Sequence, residues 1–217
     1  MLRIIASRWI HLAIWSFGVL FLAGYLALSG DWRVSVPWAL AYVGIALAFS
    51  SIFYGVLRLH ERLPTLDRYL LFDGGNDAPG EHTSGDQWTL AYVKYHLDTG
   101  LRTKAVLLSP TEDGLVCVPV LLVGIGLIPA AIGGVVFGAL HLARFTYLDC
   151  MVKAGIYGLV CYYILPHGLL TVVLGHFLTN GVAFAFMQMA ERQLAAKLRS
   201  NSTVEPDARE SGARGSP

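Results

Sequence analysis

The stretch Leu121–His141, "LLVGIGLIPAAIGGVVFGALH", decides how many helices the C-terminal half of this chain forms. It contains no charged side chain before its final histidine, so it is apolar enough to cross a membrane. If 115–145 is one long tilted helix, the chain has five membrane segments. If the stretch is split into two short or re-entrant helices, it has six. Proline and clustered glycines break helices, and the glycines that cluster around Pro129 are Gly124, Gly126, Gly133 and Gly134.

Basic residues at the two ends of the chain favour six segments. The N-terminus carries Arg3 and Arg8, and the C-terminal tail carries Arg192, Lys197 and Arg199. Lysine and arginine accumulate on the cytoplasmic side of a membrane. Five crossings would place the basic ends on opposite sides, whereas six place both the N-terminus and the polar tail in the cytoplasm.

The composition assigns the whole chain to the membrane class. Hydrophobic residues make up 55% of the 217 residues and charged residues 14%, with a mean hydropathy of +0.55. These values lie outside the balance of a soluble domain. The net charge is +1 and the basic residues are scattered, so no nucleic-acid partner is expected. We predict an all-α, polytopic transmembrane helical bundle with five to six membrane segments, whose oligomeric state the sequence leaves open.

Changes in composition along the chain divide it into regions. Apolar runs at 9–30 and 37–58 are each long enough to span the membrane. In the polar loop, "QWTLAYVKYHLD" at 87–98 has the spacing of an amphipathic helix at the membrane surface. The predicted regions are an N-terminal transmembrane hairpin at 1–58, a polar loop at 59–108, a helical core at 109–190 and a disordered polar tail at 191–217.

Two apolar helices carry residues that are suited to chemistry. His176 and Asn180 are four residues apart and therefore share one helix face. Phe137 and His141 share a face in the same way on the preceding apolar stretch. A single interhelical hydrogen bond, worth roughly 1 kcal/mol in a membrane, would explain one such pair. Two intramembrane histidines on different helices point instead to a functional site.

Other features of this region predict packing and turns. Gly134 and Gly138 would let a neighbouring backbone approach closely, and packing alone explains them. The segment "LPHG" at 165–168 interrupts the last apolar block, and we expect His167 to be a turn residue near the membrane surface.

The order and spacing of these motifs resemble a known family. "FGALH" ends at His141, and "HFLTN" begins 35 residues later at His176. The pair resembles the FxxxH and HxxxN motifs of the CPBP intramembrane proteases, which include the CAAX prenyl endopeptidases and bacterial Abi-type proteins. The resemblance covers 109–190. In the place of the family's first motif, EExxxR, the chain has Glu112 and Asp113, with Cys117 where the arginine belongs.

The resemblance implies roles for these residues. Glu112 would be the general base that activates water, and His141 would assist it. His176 and Asn180 would stabilise the oxyanion, with Asp113 and also Phe137 in supporting positions. The substrate would be a membrane-associated, prenylated or hydrophobic peptide, and the protein would lie in the bilayer of a bacterial cytoplasmic membrane. The departure at Cys117 favours an alternative, a catalytically degenerate scaffold that binds a hydrophobic peptide or a membrane partner.

The first motif also has a purely structural interpretation. In "SPTE", Ser109 would be the N-cap of a helix, with proline in its first turn and Glu112 reaching back to form a capping box. Asp113, which is shorter and is followed by Gly114, would then belong to a turn.

Cofactor use is open at the level of sequence. Glu112, His141 and His176 have the composition of a catalytic zinc site, so the hydrolase could be of the glutamate type, with no cofactor, or use a divalent metal such as zinc. Two histidines on facing helices could also be axial ligands of haem. Rhomboid serine proteases also carry HxxxN on a membrane helix, but a rhomboid is not expected here, because no GxSG serine follows Asn180.

Overall fold

The fold is all-helical in the part of the chain that the computed structural model describes, which comprises residues 8–60, 90, 93–94, 97–98, 105–141 and 147–204. A π-helical turn, Val160–Ile164, and a 3-10 turn, Leu165–His167, precede the last helix. The six α-helices of these residues are α1 Arg8–Ser29, α2 Val36–His60, α3 Ala105–Val123, α4 Leu127–Leu140, α5 Tyr147–Leu159 and α6 Leu169–Val204. The described residues contain no strand, so the predicted all-α class is confirmed for them.

The two N-terminal apolar runs are helical, as predicted, but they do not pack on each other as a hairpin: α1 packs mainly on α3, and α2 mainly on α6. The two apolar runs form α1 and α2, and the turn between them begins at Gly30, whose φ is +65°. In this turn the Arg33 guanidinium pairs with the Asp31 carboxylate at 2.7 Å. Ser35 then donates its backbone N–H to Thr171 Oγ1 at 2.9 Å, which joins the start of α2 to the first turn of α6.

The stretch Leu121–His141 is split between two helices, as predicted. Helix α3 ends at Val123, and Gly124 follows with a φ of +108°, a conformation that side chains with a Cβ rarely adopt. Helix α4 begins at Leu127, so Pro129 lies in its first turn, where proline does not break a helix. The glycines at the end of α3 therefore make the turn, and the proline follows it.

Glycines also set the closest approaches between helices. A Cβ on Gly138 would lie 2.6 Å from the carbonyl oxygen of Cys150, and one on Gly134 would lie 2.8 Å from the backbone nitrogen of Gly158. Both contacts join α4 to α5, which confirms the predicted close packing. A Cβ on Gly18 would lie 2.7 Å from the carbonyl carbon of Thr111 and closer still to its oxygen. Helix α1 therefore crosses α3 directly beside Glu112.

The segment "LPHG" is a turn, as expected. Gly168 has a φ of +115° and immediately precedes α6. The His167 ring stacks on Trp38 of α2, with ring centroids 3.9 Å apart and planes inclined by 11°. The Thr171 hydroxyl donates to the His167 carbonyl at 2.9 Å.

Two local predictions about α3 are wrong. Ser109 is not an N-cap, because α3 extends at least from Ala105 and includes Pro110 in its interior. The four residues that precede Ser109 are apolar and extend the helix upstream of the capping pattern. Asp113 is not in a turn either: it lies within the helix and is fully buried.

The polar regions are described only in part. In the predicted surface helix, Leu90, Val93, Lys94, Leu97 and Asp98 are helical; the two inner apolar residues are buried and the two charged residues are exposed. The other residues of the 59–108 region lie outside the described residues, apart from the end of α2 and the start of α3. The polar segment from position 191 is helical as far as the end of α6, which corrects the predicted disorder for 191–204. Positions 205–217, like Arg3, lie outside the described residues.

The core and the outer surface are both largely apolar. The buried core joins all five helices from α2 to α6, and its largest fully buried side chains include Tyr157, Ile164, Leu165 and Leu169. Many large apolar side chains face outward, for example Leu20 and Ile128 at 66% and 72% exposure. Within the described residues one helical segment, Leu169–Ser200, is long and apolar enough to cross a membrane.

Candidate active site

Three of the predicted site residues meet inside the bundle. Glu112 is on α3, His141 follows the last residue of α4, and His176 is in the second turn of α6. The Nε2 atoms of His141 and His176 each lie 3.9 Å from Oε2 of Glu112. Residues that are 29 and 35 positions apart in sequence thus face one carboxylate oxygen, as the motif pattern predicts.

His141 is held by the end of its own helix. Its Nδ1 lies 2.8 Å from the Phe137 carbonyl oxygen, one turn earlier. A carbonyl only accepts hydrogen bonds, so Nδ1 carries the proton and donates it. The other ring nitrogen, Nε2, is thereby turned toward Glu112. The spacing of the FxxxH motif is thus the spacing at which a histidine can cap the helix carbonyl of the phenylalanine.

His176 is held by a carboxylate instead of a carbonyl. Its Nδ1 lies 2.9 Å from Oδ1 of Asp113 and donates to it. Its Nε2, like that of His141, faces Glu112. Both imidazoles therefore have the same orientation, with Nδ1 anchored and Nε2 directed at the same oxygen.

Asp113 and Tyr157 form a buried pair next to this histidine. Asp113 is 0% exposed, and its Oδ1 accepts a second hydrogen bond, from the hydroxyl of Tyr157 on α5. Its other oxygen, Oδ2, has no hydrogen-bond partner among the described residues. Cys117 Sγ lies 3.4 Å from the Tyr157 oxygen. Because the phenol proton goes to Asp113, the thiol donates to the phenol oxygen.

Aromatic rings enclose His176 on several sides. Phe137 and Tyr157 stack with centroids 3.8 Å apart and planes inclined by 5°. Phe137 presents its edge to the His176 ring at 5.7 Å, and Tyr42 of α2 lies at 6.0 Å from it. Phe137, which the prediction places in a supporting position, thus contacts the rings of both His176 and Tyr157.

The exposed fraction of the side chain differs strongly among the four charged and imidazole residues of the site. The Glu112 side chain is 26% exposed, that of His141 12%, that of His176 7% and that of Asp113 0%. The two adjacent carboxylates therefore have different surroundings. Water or a ligand can reach Glu112, whereas Asp113 is accessible only to its protein neighbours.

Asn180 and Cys117 occupy the two remaining motif positions. Asn180 is one turn beyond His176 on α6 and is partly buried. Cys117, in the place of the family arginine, is one turn beyond Asp113 on α3 and is fully buried. Sequence patterns do not single out Tyr157, which lies near the end of α5, a helix that also carries Asp149 and Lys153.

The distances among Glu112, His141 and His176 can be compared with those between the ligands of a bound zinc ion. Ligands about 2.0–2.1 Å from a tetrahedral zinc lie about 3.3 Å from one another, whereas both Nε2–Oε2 separations are 3.9 Å. Within the described residues, no three His, Cys, Asp or Glu side chains form a group that could hold a metal ion. The residue types of Glu112, His141 and His176 suit zinc, but their spacing does not.

No protein-family model matches this chain, and no curated protein and no solved structure is significantly similar to it.

Proposed function

We propose that this protein is an intramembrane endopeptidase of the CPBP type, which hydrolyses a peptide bond in a membrane-associated substrate. The observation that carries the proposal is the convergence of Glu112, His141 and His176 from three helices. One partly exposed carboxylate oxygen faces two imidazoles whose orientations are fixed from behind. An apolar bundle does not need this cluster for its stability, because burying ionisable groups costs free energy even when they are paired.

Glu112 is the general base of the proposed reaction. It is the more exposed of the two adjacent carboxylates. Its 3.9 Å separations from the imidazoles exceed a direct hydrogen bond and suit one intervening water. The carboxylate takes one proton from that water as the water oxygen adds to the substrate carbonyl carbon. His141 orients the water through Nε2.

His176 and Asn180 stabilise the oxyanion that forms on the substrate carbonyl oxygen. The Asp113 carboxylate behind Nδ1 favours positive charge on the His176 ring, so Nε2 can donate to the oxyanion. When the intermediate collapses, the C–N bond breaks and the leaving amine takes the proton from Glu112. Atoms and charges then balance, and the base is regenerated.

The environment of the reaction is proposed to be a bilayer that the bundle crosses several times. Helix α1 has 22 residues and α2 has 25, each long enough for a hydrocarbon core of about 30 Å. The polar groups of the site face inward, whereas large apolar side chains face outward. The shorter helices α3 and α4 would form the split pair. With six segments, the N-terminus and the tail lie in the cytoplasm of a bacterial cell.

The proposed substrate is a hydrophobic or lipidated peptide, because only such a chain reaches a site enclosed by apolar helices. A second candidate function is a scaffold that binds such a peptide without cleaving it. One observation favours it: Cys117 provides no cation for the first motif, and both its neighbour Tyr157 and Asp113 are enclosed by protein.

The experiment uses full-length protein in liposomes with a quenched fluorescent, prenylated or hydrophobic peptide. We expect Glu112→Gln and His176→Ala to abolish cleavage. Glu191→Gln, a change of the same chemistry on the distant part of α6, should leave it unchanged. Undiminished cleavage in both site variants would refute the endopeptidase. Binding of the peptide by the unmodified protein without any cleavage would support the scaffold instead.

A further inference from the structure

Tyr157 contacts residues on each of the three helices α3, α4 and α6. It lies on α5 and is fully buried. Its hydroxyl donates to Asp113 on α3, its ring stacks on Phe137 of α4, and its ring centroid lies 6.0 Å from that of His176 on α6, with the planes inclined by 69°. None of the three family motifs includes this position.

The hydrogen bonds around Tyr157 form a directed chain. Cys117 donates to the phenol oxygen, the phenol donates to Asp113 Oδ1, and His176 Nδ1 donates to the same Oδ1. The two donors thus approach one oxygen from different helices. This shared oxygen fixes the carboxylate rotamer, because turning Asp113 would break both bonds at once.

The neutral phenol is also the group that satisfies a buried carboxylate here. Among the described residues, Asp113 forms an ion pair with His176, and its Oδ2 has no hydrogen-bond partner. A carboxylate with 0% exposure requires hydrogen bonds to remain ionised. The arginine of the first motif would lie on α3, one turn beyond Asp113, but Cys117 stands there. The second hydrogen-bond donor to Asp113 is Tyr157 on α5.

We infer that Tyr157 is a positioning residue, which acts through Asp113 to hold the His176 imidazole with Nδ1 protonated and Nε2 facing Glu112. Its importance for catalysis rests on the proposed function, whereas its effect on the His176 ring does not. Tyr157 touches neither the substrate nor the reacting water. It determines which nitrogen of His176 is available to them.

The test uses full-length protein labelled with 15N-histidine in detergent micelles, and His176→Ala assigns the His176 signals. We expect the unmodified protein to show a slowly exchanging Nδ1–H for His176. Tyr157→Phe keeps the stacked ring and removes only the hydroxyl, and it should weaken or abolish this signal. Asp113→Asn should abolish it. Tyr162→Phe, a change at a 40% exposed tyrosine five residues away, should leave it intact.

Enzyme kinetics on the same variants separate positioning from folding. We expect Tyr157→Phe to lower kcat by about tenfold to a hundredfold with KM nearly unchanged, because the ring of His176 is misoriented while the substrate surface is kept. An unchanged Nδ1–H signal in Tyr157→Phe would overturn the inference even if the protein has no protease activity. A lost signal with undiminished kcat would overturn the catalytic part alone, and inactive unmodified protein would count only against the proposed function.

Discussion

Replacing Gly18 by alanine should destabilise the bundle and displace Glu112, whereas the same change at Gly24 should do neither. Both glycines lie on α1, six residues apart. A Cβ on Gly18 would lie 2.7 Å from the Thr111 carbonyl carbon and 3.0 Å from its Cα, while a Cβ on Gly24 would have no atom within 4 Å. The comparison isolates one helix crossing.

The expected difference in the free energy of unfolding follows from these distances. Carbon atoms pack at about 3.5–4.0 Å, so α1 and α3 must separate by roughly 1 Å at this crossing. Overpacking of this kind costs about 1–3 kcal/mol. Each variant also gains about 0.5–1 kcal/mol because alanine favours a helix more than glycine does, and this gain cancels in the comparison. Gly18→Ala should therefore be less stable than Gly24→Ala by about 1–3 kcal/mol.

Thermal unfolding in one detergent measures this difference. For a chain of this size, each kcal/mol shifts Tm by about 2–4 °C, so we expect a gap of about 2–12 °C between the two variants. Because Thr111 adjoins Glu112, a displacement of roughly 1 Å should also lower any protease activity by about a hundredfold. Equal Tm values for the two variants would show that α1 does not cross α3 at Gly18.

Three further predictions concern the turns and the site. Arg33 donates hydrogen bonds to the Asp31 carboxylate, which lowers the pKa of Asp31 in the folded protein. This pair therefore stabilises the fold above the ordinary carboxyl range near about pH 4 and loses its effect as the pH falls through the folded-state pKa. The Tm difference between the unmodified protein and Asp31→Asn should shrink on acidification; a constant difference would contradict this. Gly168→Ala should lower Tm by more than Gly44→Ala, because Gly168 has a φ of +115° and a Cβ would lie 2.5 Å from the Arg33 carbonyl oxygen, whereas Gly44 faces open space; equal effects would count against the described turn. Cleavage should survive dialysis against a strong chelator, since the donor spacing does not fit zinc; loss that zinc restores would show a metal-dependent site.

The parts of the fold that the sequence predicted depend on patterns within one segment. The length of the two apolar runs located α1 and α2, because an uninterrupted run of about 20 apolar residues favours a single helix. Gly124 ended α3, because its backbone conformation is one that other residues avoid. The glycines of α4 indicated a close neighbour, although the pattern could not say that the neighbour is α5.

The errors in α3 arose where local signals competed with a longer helix. A serine, a proline and a glutamate in capping order indicate a helix start, but the apolar residues upstream continue the helix through them. Glycine after Asp113 indicated a turn. In the folded chain Gly114 instead provides space for α1, since a Cβ there would lie 3.0 Å from Leu22 Cβ.

The site residues also differ in whether local sequence patterns indicate them or only long-range contacts do. Motif spacing brought His141 and His176 together with Glu112 in the prediction, and the structure brings them together. Asp113 received only a minor role, because its partners Tyr157 and His176 are 44 and 63 residues away. No pattern within one helix indicates such a partnership, and the spacing of Tyr157 in α5 is the same whether or not its hydroxyl has an acceptor.

The length of α6 has a mechanical consequence. Its 36 residues make a rod of about 54 Å, which exceeds a hydrocarbon core of about 30 Å by nearly half its length. The segment contains no proline, so the polar C-terminal third and the turn that carries His176 belong to one continuous lever. Because the helix is continuous, a tilt of its outer end would also move the turn that carries His176.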